Sequence, residues 1–155
     1  MKIRKAGNED LEEIDKIYVD GVIDEIKLQY PKRTEKDILK EMNHARKERL
    51  NGWKKELKSK QSYWIVAEIG DKIIAFANAE IKNKKEGYLA MLYVDKDFRR
   101  KGIGKKLTLE RINWLKKKRV KTIYAGILIN NSASISNLKK LGFNPVSIKL
   151  EKKIK

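Results

Sequence analysis

The first third of the chain carries apolar residues at helical spacing. Residues 2–5 form a short strand-like segment, and apolar positions then recur every three or four residues over 8–28, which is typical of an amphipathic helix. Thr34 and Asp37 resemble the start of a second helix, because a hydroxyl at the N-cap accepts a hydrogen bond from the first turn and an acid there is favoured. This second helix is predicted to be long, highly charged and continuous over 34–59.

After residue 62 the spacing favours strands instead. The predicted strands are 63–67, 72–81, 87–94, 121–129 and 146–150, and the predicted helices between them are 103–118 and 132–141. Gly70 and Asp71 predict a tight hairpin. The resulting order, β-α-α-β-β-β-α-β-α-β, predicts an α+β fold in which antiparallel strands and a βαβ unit share one mixed sheet. We expect a single domain over residues 1–155.

Composition narrows the possible chemistry. The 155 residues include 38 Lys and Arg but 21 Asp and Glu, a net charge of +17, with no cysteine and one histidine, His44. Disulfides, thiolate metal sites and a cysteine nucleophile are excluded, and one histidine is a poor basis for a zinc site or a Ser-His-Asp triad. No apolar run approaches the roughly 18 residues of a membrane helix, so we expect a cytoplasmic protein without a membrane partner. The charge favours anions, whether nucleic acid, headgroups or phosphorylated small molecules.

A glycine-containing loop between strand 87–94 and helix 103–118 is the strongest candidate site. Its sequence is Arg99-Arg100-Lys101-Gly102-Ile103-Gly104-Lys105. The two glycines permit a tight turn whose N–H groups point outward at the positive end of a helix, which suits a phosphate or pyrophosphate. A P-loop would need glycine at 99 and a hydroxyl residue at 106, a dinucleotide fingerprint a small residue at 107, and an RNA-recognition motif aromatic residues at 103 and 106. The sequence meets none of these three patterns.

The same loop resembles the acetyl-CoA loop of the GNAT superfamily, the Gcn5-related N-acetyltransferases. The family signature, Arg/Gln-x-x-Gly-x-Gly/Ala, matches residues 99–104, and residues 92–94 stand in place of the family's Leu-x-Val strand end. A second family block is matched in part, at Asn131, Leu141, Gly142 and Phe143. The element order also resembles the family along the whole chain.

The resemblance implies an enzyme that transfers the acetyl group of acetyl-CoA to a primary amine, on a protein or peptide N-terminus or on a small molecule. Main-chain groups of the strand end would contact pantetheine, and loop amides would hold the pyrophosphate. The cofactor-binding residues so implied are Leu92, Tyr93, Val94, Arg99, Arg100, Lys101, Gly102, Ile103, Gly104, Lys105, Asn131 and Asn137. For Asn131 the alternative is a helix cap, and for Asn137 a cap or a solvent-facing position. No metal is expected.

The resemblance does not identify the residue that gives a proton to the leaving thiolate. The family's usual acid is a tyrosine at the position of Leu138, which has no proton to give. Since a thiol has a pKa of about 8.5, its anion is a tolerable leaving group near neutrality. Tyr93, Tyr124, Ser134 and Ser136 are the alternative donors.

The base is expected to be a carboxylate on a central strand. Glu80 lies in an otherwise apolar strand and is our catalytic candidate beside Tyr93, with a solvated surface charge as its alternative role. Glu68 is placed similarly one strand earlier, and Tyr88 stands where one histone-acetylating branch carries its glutamate. A weak base favours an α-amino acceptor, which has a pKa of about 7.7–8.0 and is partly deprotonated at neutral pH. The basic surface disfavours polycationic acceptors.

A second interpretation is a basic module that binds nucleic acid and retains only a vestigial CoA cleft. Residues 116–121 and the long second helix would then contact phosphates. The run 116–121 also ends a helix, where cations are favoured in any case. The short segment after Gly142 is compatible with either a monomer or a homodimer.

Overall fold

The computed structural model describes residues 1–152 and 154, and within them five strands and five helices form. The strands are β1 Lys2–Lys5, β2 Ser62–Ile69, β3 Lys72–Ile81, β4 Glu86–Val94 and β5 Thr122–Ala125. The helices are α1 Leu11–Gln29, α2 Glu35–His44, α3 Arg46–Lys58, α4 Ile103–Lys117 and α5 Ser132–Lys140. Short 3₁₀ turns at Asn8–Asp10 and Lys96–Phe98 precede α1 and α4.

One sheet contains all five strands in the order β1-β2-β3-β4-β5. Neighbours are antiparallel from β1 to β4, whereas β4 and β5 are parallel and are joined by a crossover through α4. The predicted α+β class with a mixed sheet is therefore confirmed. None of the helices in the described residues has the length and apolar character needed to cross a bilayer.

The core occupies both faces of the sheet. Under α1 and α3, Trp53, Trp64 and Phe76 form an aromatic cluster in which the last two rings stack 6.0 Å apart. Under α4, buried Leu107 and Leu115 pack against the apolar residues of β2, β3 and β4. Because both faces are covered, β3 is buried along most of its length.

The predicted second helix is wrong in one respect, because it breaks at Ala45 into α2 and α3. The start is as expected, since the Thr34 hydroxyl accepts a hydrogen bond from the Asp37 N–H at 3.1 Å. After the break, Arg46 and Arg49 each donate to the buried carboxylate of Asp15 on α1, both at 2.9 Å. These tertiary ion pairs form directly after the break, which helical periodicity alone did not reveal.

Two predictions near the C-terminal end are also wrong. The strand predicted over 121–129 is limited to Thr122–Ala125, and residues 146–150 do not form a strand. Val146, Ile148 and Leu150 are instead highly exposed. Alternating apolar residues form a strand only against a partner edge, and the four residues of β5 provide a short one. The observed order is therefore β-α-α-α-β-β-β-α-β-α.

Candidate active site

Strands β4 and β5 separate halfway along β4. Their parallel pairing runs from Glu86 with Thr122 to Leu89 with Ala125, where β5 ends. β4 continues to Val94 and pairs only with β3 over this second half. Since alternate backbone groups of a strand point to opposite sides, half of the N–H and C=O groups of residues 90–94 face the gap left by β5. This unpaired edge can bind an extended ligand that carries amide groups.

A β-bulge in β4 lies at the start of the unpaired edge. Ala77 pairs with Leu92 and Ala79 with Leu89, so three steps along β4 oppose two along β3. The buried side chain of Asn78 lies at the bulge, and its Oδ1 accepts a hydrogen bond from the Met91 N–H at 2.7 Å. The extra residue changes which side chains face each side of the sheet from this point onwards.

The guanidinium of Arg111 on α4 donates hydrogen bonds to the backbone at the bulge. It is 3% exposed and donates to the carbonyl oxygens of Asn78 and Met91, both at 3.0 Å, and to the Thr108 hydroxyl at 3.1 Å. Burial lowers the pKa of Arg111 to about 9, and the group remains charged at neutral pH. These three acceptors are neutral, so none of them cancels the positive charge of Arg111. That buried charge therefore lies next to Met91, at the start of the unpaired edge.

The loop after β4 forms a turn with exposed N–H groups. Arg100 and Gly102 have positive φ angles of 64° and 75°, and Gly102 is the N-cap of α4. Lys106 makes the first helical bond, from its N–H to the Gly102 oxygen at 3.2 Å, so the amides of residues 103–105 have no acceptor within the helix. These amides lie at the positive end of the helix dipole, where anions bind.

The side chains of this loop leave part of its positive charge free. Arg99 is tied down, because it donates to the Val94 oxygen at 3.0 Å and to the Asp24 carboxylate at 2.7 Å. Arg100 and Lys105 are exposed, and neither has an ion-pair partner among the described residues. The turn therefore combines free amides with free cations, a set of donors that fits a diphosphate.

Tyr93, at the far end of the unpaired edge, is fixed by α1. Its hydroxyl donates to the Glu25 carboxylate at 2.9 Å, and its ring packs edge-on against Tyr18. Burial raises the pKa of Glu25, and burial together with that carboxylate raises the pKa of Tyr93 well above its usual range. The proton of the Tyr93 hydroxyl is therefore directed at Glu25, and its main chain remains part of the edge.

Glu80 lies at the opposite end of the gap, on β3. It pairs in register with Tyr88 of β4, and its carboxylate forms an ion pair with Lys82. The hydrogen bond that Lys82 donates to the Glu80 carboxylate is the main reason why the pKa of Lys82 is raised. Glu56 of α3 is close enough to interact with both groups, and burial raises the pKa of its carboxyl.

The profile of the acetyltransferase (GNAT) family matches residues 21–143, which include β4, the loop and α4. The chain belongs to this GNAT family. The predicted family is thereby confirmed.

A curated relative is the [Ribosomal protein bS18]-alanine N-acetyltransferase of Escherichia coli K12, which is 33% identical over 78 residues, 50% of this chain and 52% of the relative. The Salmonella typhimurium enzyme of the same name is 33% identical over 79 residues, 51% of this chain and 53% of its own. The chain thus matches about half the length of these relatives.

Solved structures show the same GNAT fold along nearly the whole chain. The PaiA N-acetyltransferase of Thermoplasma acidophilum in complex with coenzyme A has a TM-score of 0.80 at 23% identity, over 96% of this chain and 92% of that one. A tetramutant of the BH1408 protein of Bacillus halodurans has a TM-score of 0.78 at 19% identity, over 99% of this chain and 100% of that one. The family match and the CoA-bound neighbour support the predicted enzyme class and cofactor. Nothing in these comparisons favours the nucleic-acid interpretation.

The structure brings most of the predicted cofactor residues of this GNAT chain together. Residues 92–94 lie on the unpaired edge, and residues 99–105 form the turn that follows it. Asn131 adopts its alternative role, because it caps α5 by accepting from the Ser134 N–H at 3.1 Å. Asn137 lies half-buried on α5, and Leu138 packs into the apolar cluster under α4.

Glu25, Asn78 and Arg111 are among the residues at the site that were not predicted from the sequence. For Arg111 a signal existed, because it occupies the apolar stripe of α4 between Leu107 and Leu115. A charged residue on such a stripe points to a buried polar contact. Asn78 gave a comparable signal, because it interrupts the apolar residues of β3, whereas Glu25 gave none, since an exposed role would fit it equally well.

Proposed function

We propose that this chain is an acetyl-CoA-dependent N-acetyltransferase whose acceptor is a primary amine, with the α-amino group of a protein or peptide as the favoured acceptor. One observation carries the proposal: the unpaired edge of β4 leads directly into the amide-lined, cationic turn at the start of α4. A ligand with two amides followed by a diphosphate matches this sequence of donors and acceptors.

The residues divide into two groups according to the part of the cofactor they would hold. Main-chain groups of Leu92, Tyr93 and Val94 would pair with the pantetheine amides. The amides of residues 103–105, with the side chains of Arg100 and Lys105, would hold the diphosphate. When bound, acetyl-CoA supplies an acetyl group that is activated as a thioester.

Two observations favour an α-amino acceptor. The curated relatives are named for the alanine of a ribosomal protein, which supports a protein N-terminus here as well. The net charge of +17 disfavours polycationic amines, because like charges lower both encounter rate and affinity. An α-amino group also needs less help from a base than a lysine side chain does.

Glu80 remains our candidate for the group that accepts the amine proton. It lies on the face covered by α1 and α3, next to the separation of β4 and β5, and Lys82 holds its carboxylate in place. Glu80→Gln is expected to lower kcat without changing CoA affinity, because the substitution removes the basic oxygen and keeps the shape. Glu48→Gln, an exposed change on α3, is the control.

Calorimetric titration with coenzyme A tests the proposal first, and micromolar binding is the expected result. CoA release is then measured with three acceptors: a peptide with a free N-terminal alanine, the same peptide N-terminally blocked but carrying a lysine, and spermidine. We expect the first to react fastest. Salt-sensitive RNA binding without CoA affinity would overturn the proposal in favour of a nucleic-acid module.

A further inference from the structure

Tyr88 lies at the point where β4 and β5 separate. It pairs in register with Tyr124, and the next pair, Leu89 with Ala125, is the last between these strands. Leu89 packs under α4, so the strand alternation turns Tyr88 towards the face covered by α1 and α3. A Cβ atom on Gly126 would lie 2.5 Å from the Tyr88 hydroxyl oxygen, which shows that the phenol reaches over the end of β5.

The hydroxyl of Tyr88 has no hydrogen-bond partner among the described residues, although its side chain is partly buried. Four of the five other tyrosines make ring contacts or hydroxyl hydrogen bonds elsewhere in the fold. Tyr18 and Tyr63 pack against tryptophan rings, and Tyr30 and Tyr93 donate to glutamates. The phenol at the separation is therefore available to a ligand.

The helix that follows β5, α5, contains no tyrosine. Leu138 of α5 packs against the cluster of Ala79, Leu89 and Leu115, on the other face of the sheet from Tyr88. Tyr124 is the neighbour of Tyr88 in register, but the contact with Gly126 belongs to Tyr88. Of the pair, Tyr88 is the one shown to reach past the last β4–β5 contact.

A cation lies next to the Tyr88 ring. The Lys82 ammonium is 5.6 Å from the ring centroid and is held there by its ion pair with Glu80. Glu80, Lys82 and Tyr88 therefore form one cluster beside the gap.

We propose that Tyr88 is a catalytic residue, whose hydroxyl contacts the sulfur of bound coenzyme A and protonates it during transfer. The inference rests on the proposed function. As the amine nitrogen bonds to the acetyl carbon, the bond from that carbon to sulfur breaks, and the phenolic proton of Tyr88 moves to the sulfur. The proton that the nitrogen loses to Glu80 then passes to the phenolate of Tyr88, so the products are the amide and the free thiol.

Tyr88→Phe is the direct test, because it removes one oxygen and keeps the ring beside Lys82. Calorimetry compares coenzyme A with desulfo-coenzyme A, which lacks the sulfur. We expect the wild type to prefer coenzyme A by about 3- to 10-fold, the size of a single hydrogen bond, and the variant to lose this preference. The affinity for desulfo-coenzyme A should stay within about twofold. With a peptide acceptor, kcat should fall about 100-fold.

Tyr63→Phe, which removes the hydroxyl of a tyrosine stacked on Trp114, is the matched control and should keep both the preference and kcat. Gly126→Ala is a second variant, which crowds the Tyr88 hydroxyl without altering that residue, and it should also lose the preference. A preference for coenzyme A that survives in Tyr88→Phe, or a kcat close to that of the wild type, overturns the inference. Absence of CoA binding by the wild type would overturn the proposed function as well, and is a distinct result.

Discussion

A Cβ atom on Gly21 would lie 2.1 Å from Cδ1 of Tyr93, so the absence of a side chain in α1 is what lets this ring of β4 pack against the helix. Tyr18 and Glu25 contact the same ring and its hydroxyl, and the three α1 positions share one helical face. The position of the unpaired edge of β4 therefore depends on α1.

Gly21→Ala is expected to destabilise the protein by about 1–3 kcal/mol, because the new methyl group overlaps the Tyr93 ring. CoA affinity should fall as well, since displacement of Tyr93 shifts the edge that is proposed to bind pantetheine. Urea denaturation and calorimetric titration with coenzyme A measure the two effects.

Gly52 provides the matched control, because it also lies inside a helix, but a methyl group added there would meet no neighbouring side chain within 4 Å. Gly52→Ala should stabilise the protein by about 0.5–1 kcal/mol through helix propensity alone. Equal effects of the two substitutions would contradict the role assigned to the contact between Gly21 and Tyr93.

Gly102→Ala is expected to reduce CoA affinity at least about tenfold, because φ of +75° is strained for a residue with a Cβ and the turn must shift to relieve it. The larger Gly102→Val should abolish binding with the fold retained. Open space surrounds this position, so the effect arises from backbone conformation and not from a clash.

Gly70 is the control for Gly102, since it has a φ of +59° in the β2–β3 hairpin, which contributes no residue to the proposed turn. Gly70→Ala should cost similar stability and leave CoA affinity unchanged. If both substitutions weakened CoA binding to the same extent, the loss would reflect general destabilisation and the proposed cradle would be wrong.

The features that the sequence predicted well depend on local chemistry. Glycine spacing and a preceding apolar strand located the turn at 99–105, and the Thr34 hydroxyl marked a helix start that the structure retains. Periodicity also predicted β3 with the bounds observed. Each of these depends on residues that are close in the chain, so a single sequence contains the information.

The features that it missed depend on contacts between distant residues. The bulge in β4 is held by Asn78 and Arg111, 33 residues apart, and it decides that Tyr88 and Tyr93 face the same side despite their odd separation. Residues 146–150 have the alternation of a strand but no partner edge. Strand alternation within one segment cannot reveal either effect.

Arg111→Lys tests the support of the bulge. A lysine keeps the charge but cannot donate to both carbonyl oxygens in the planar geometry of a guanidinium. We expect a loss of about 1–3 kcal/mol, because a buried carbonyl is left without its partner, and faster hydrogen exchange at the Met91 amide. Arg33→Lys, at a solvent-exposed ion pair with Glu41, should change neither quantity.

Asp10 links β1 to the turn before α1, and its contribution to stability should depend on pH. The Arg4 guanidinium donates to both oxygens of the Asp10 carboxylate, at 2.7 and 2.8 Å, and the Gly7 N–H donates at 2.8 Å. The hydrogen bonds from Arg4 are the main reason why the pKa of Asp10 lies below its usual value. Because the folded-state pKa is lowered, the stabilisation is complete above the unfolded-state pKa of about 3.9 and is lost as the pH falls through the folded-state value.

Asp10→Asn should therefore cost about 1.5–3 kcal/mol near pH 7, the size of a hydrogen-bonded pair that involves charged groups, and less as the pH falls below about 4. Urea unfolding of both proteins from pH 7 to pH 3 measures this difference. Asp20→Asn, at an exposed position of α1, should give unfolding free energies close to those of the wild type across the same range. A cost for Asp10→Asn that stayed constant down to pH 3 would show that shape and packing, and not the charge paired with Arg4, explain the contribution of this residue.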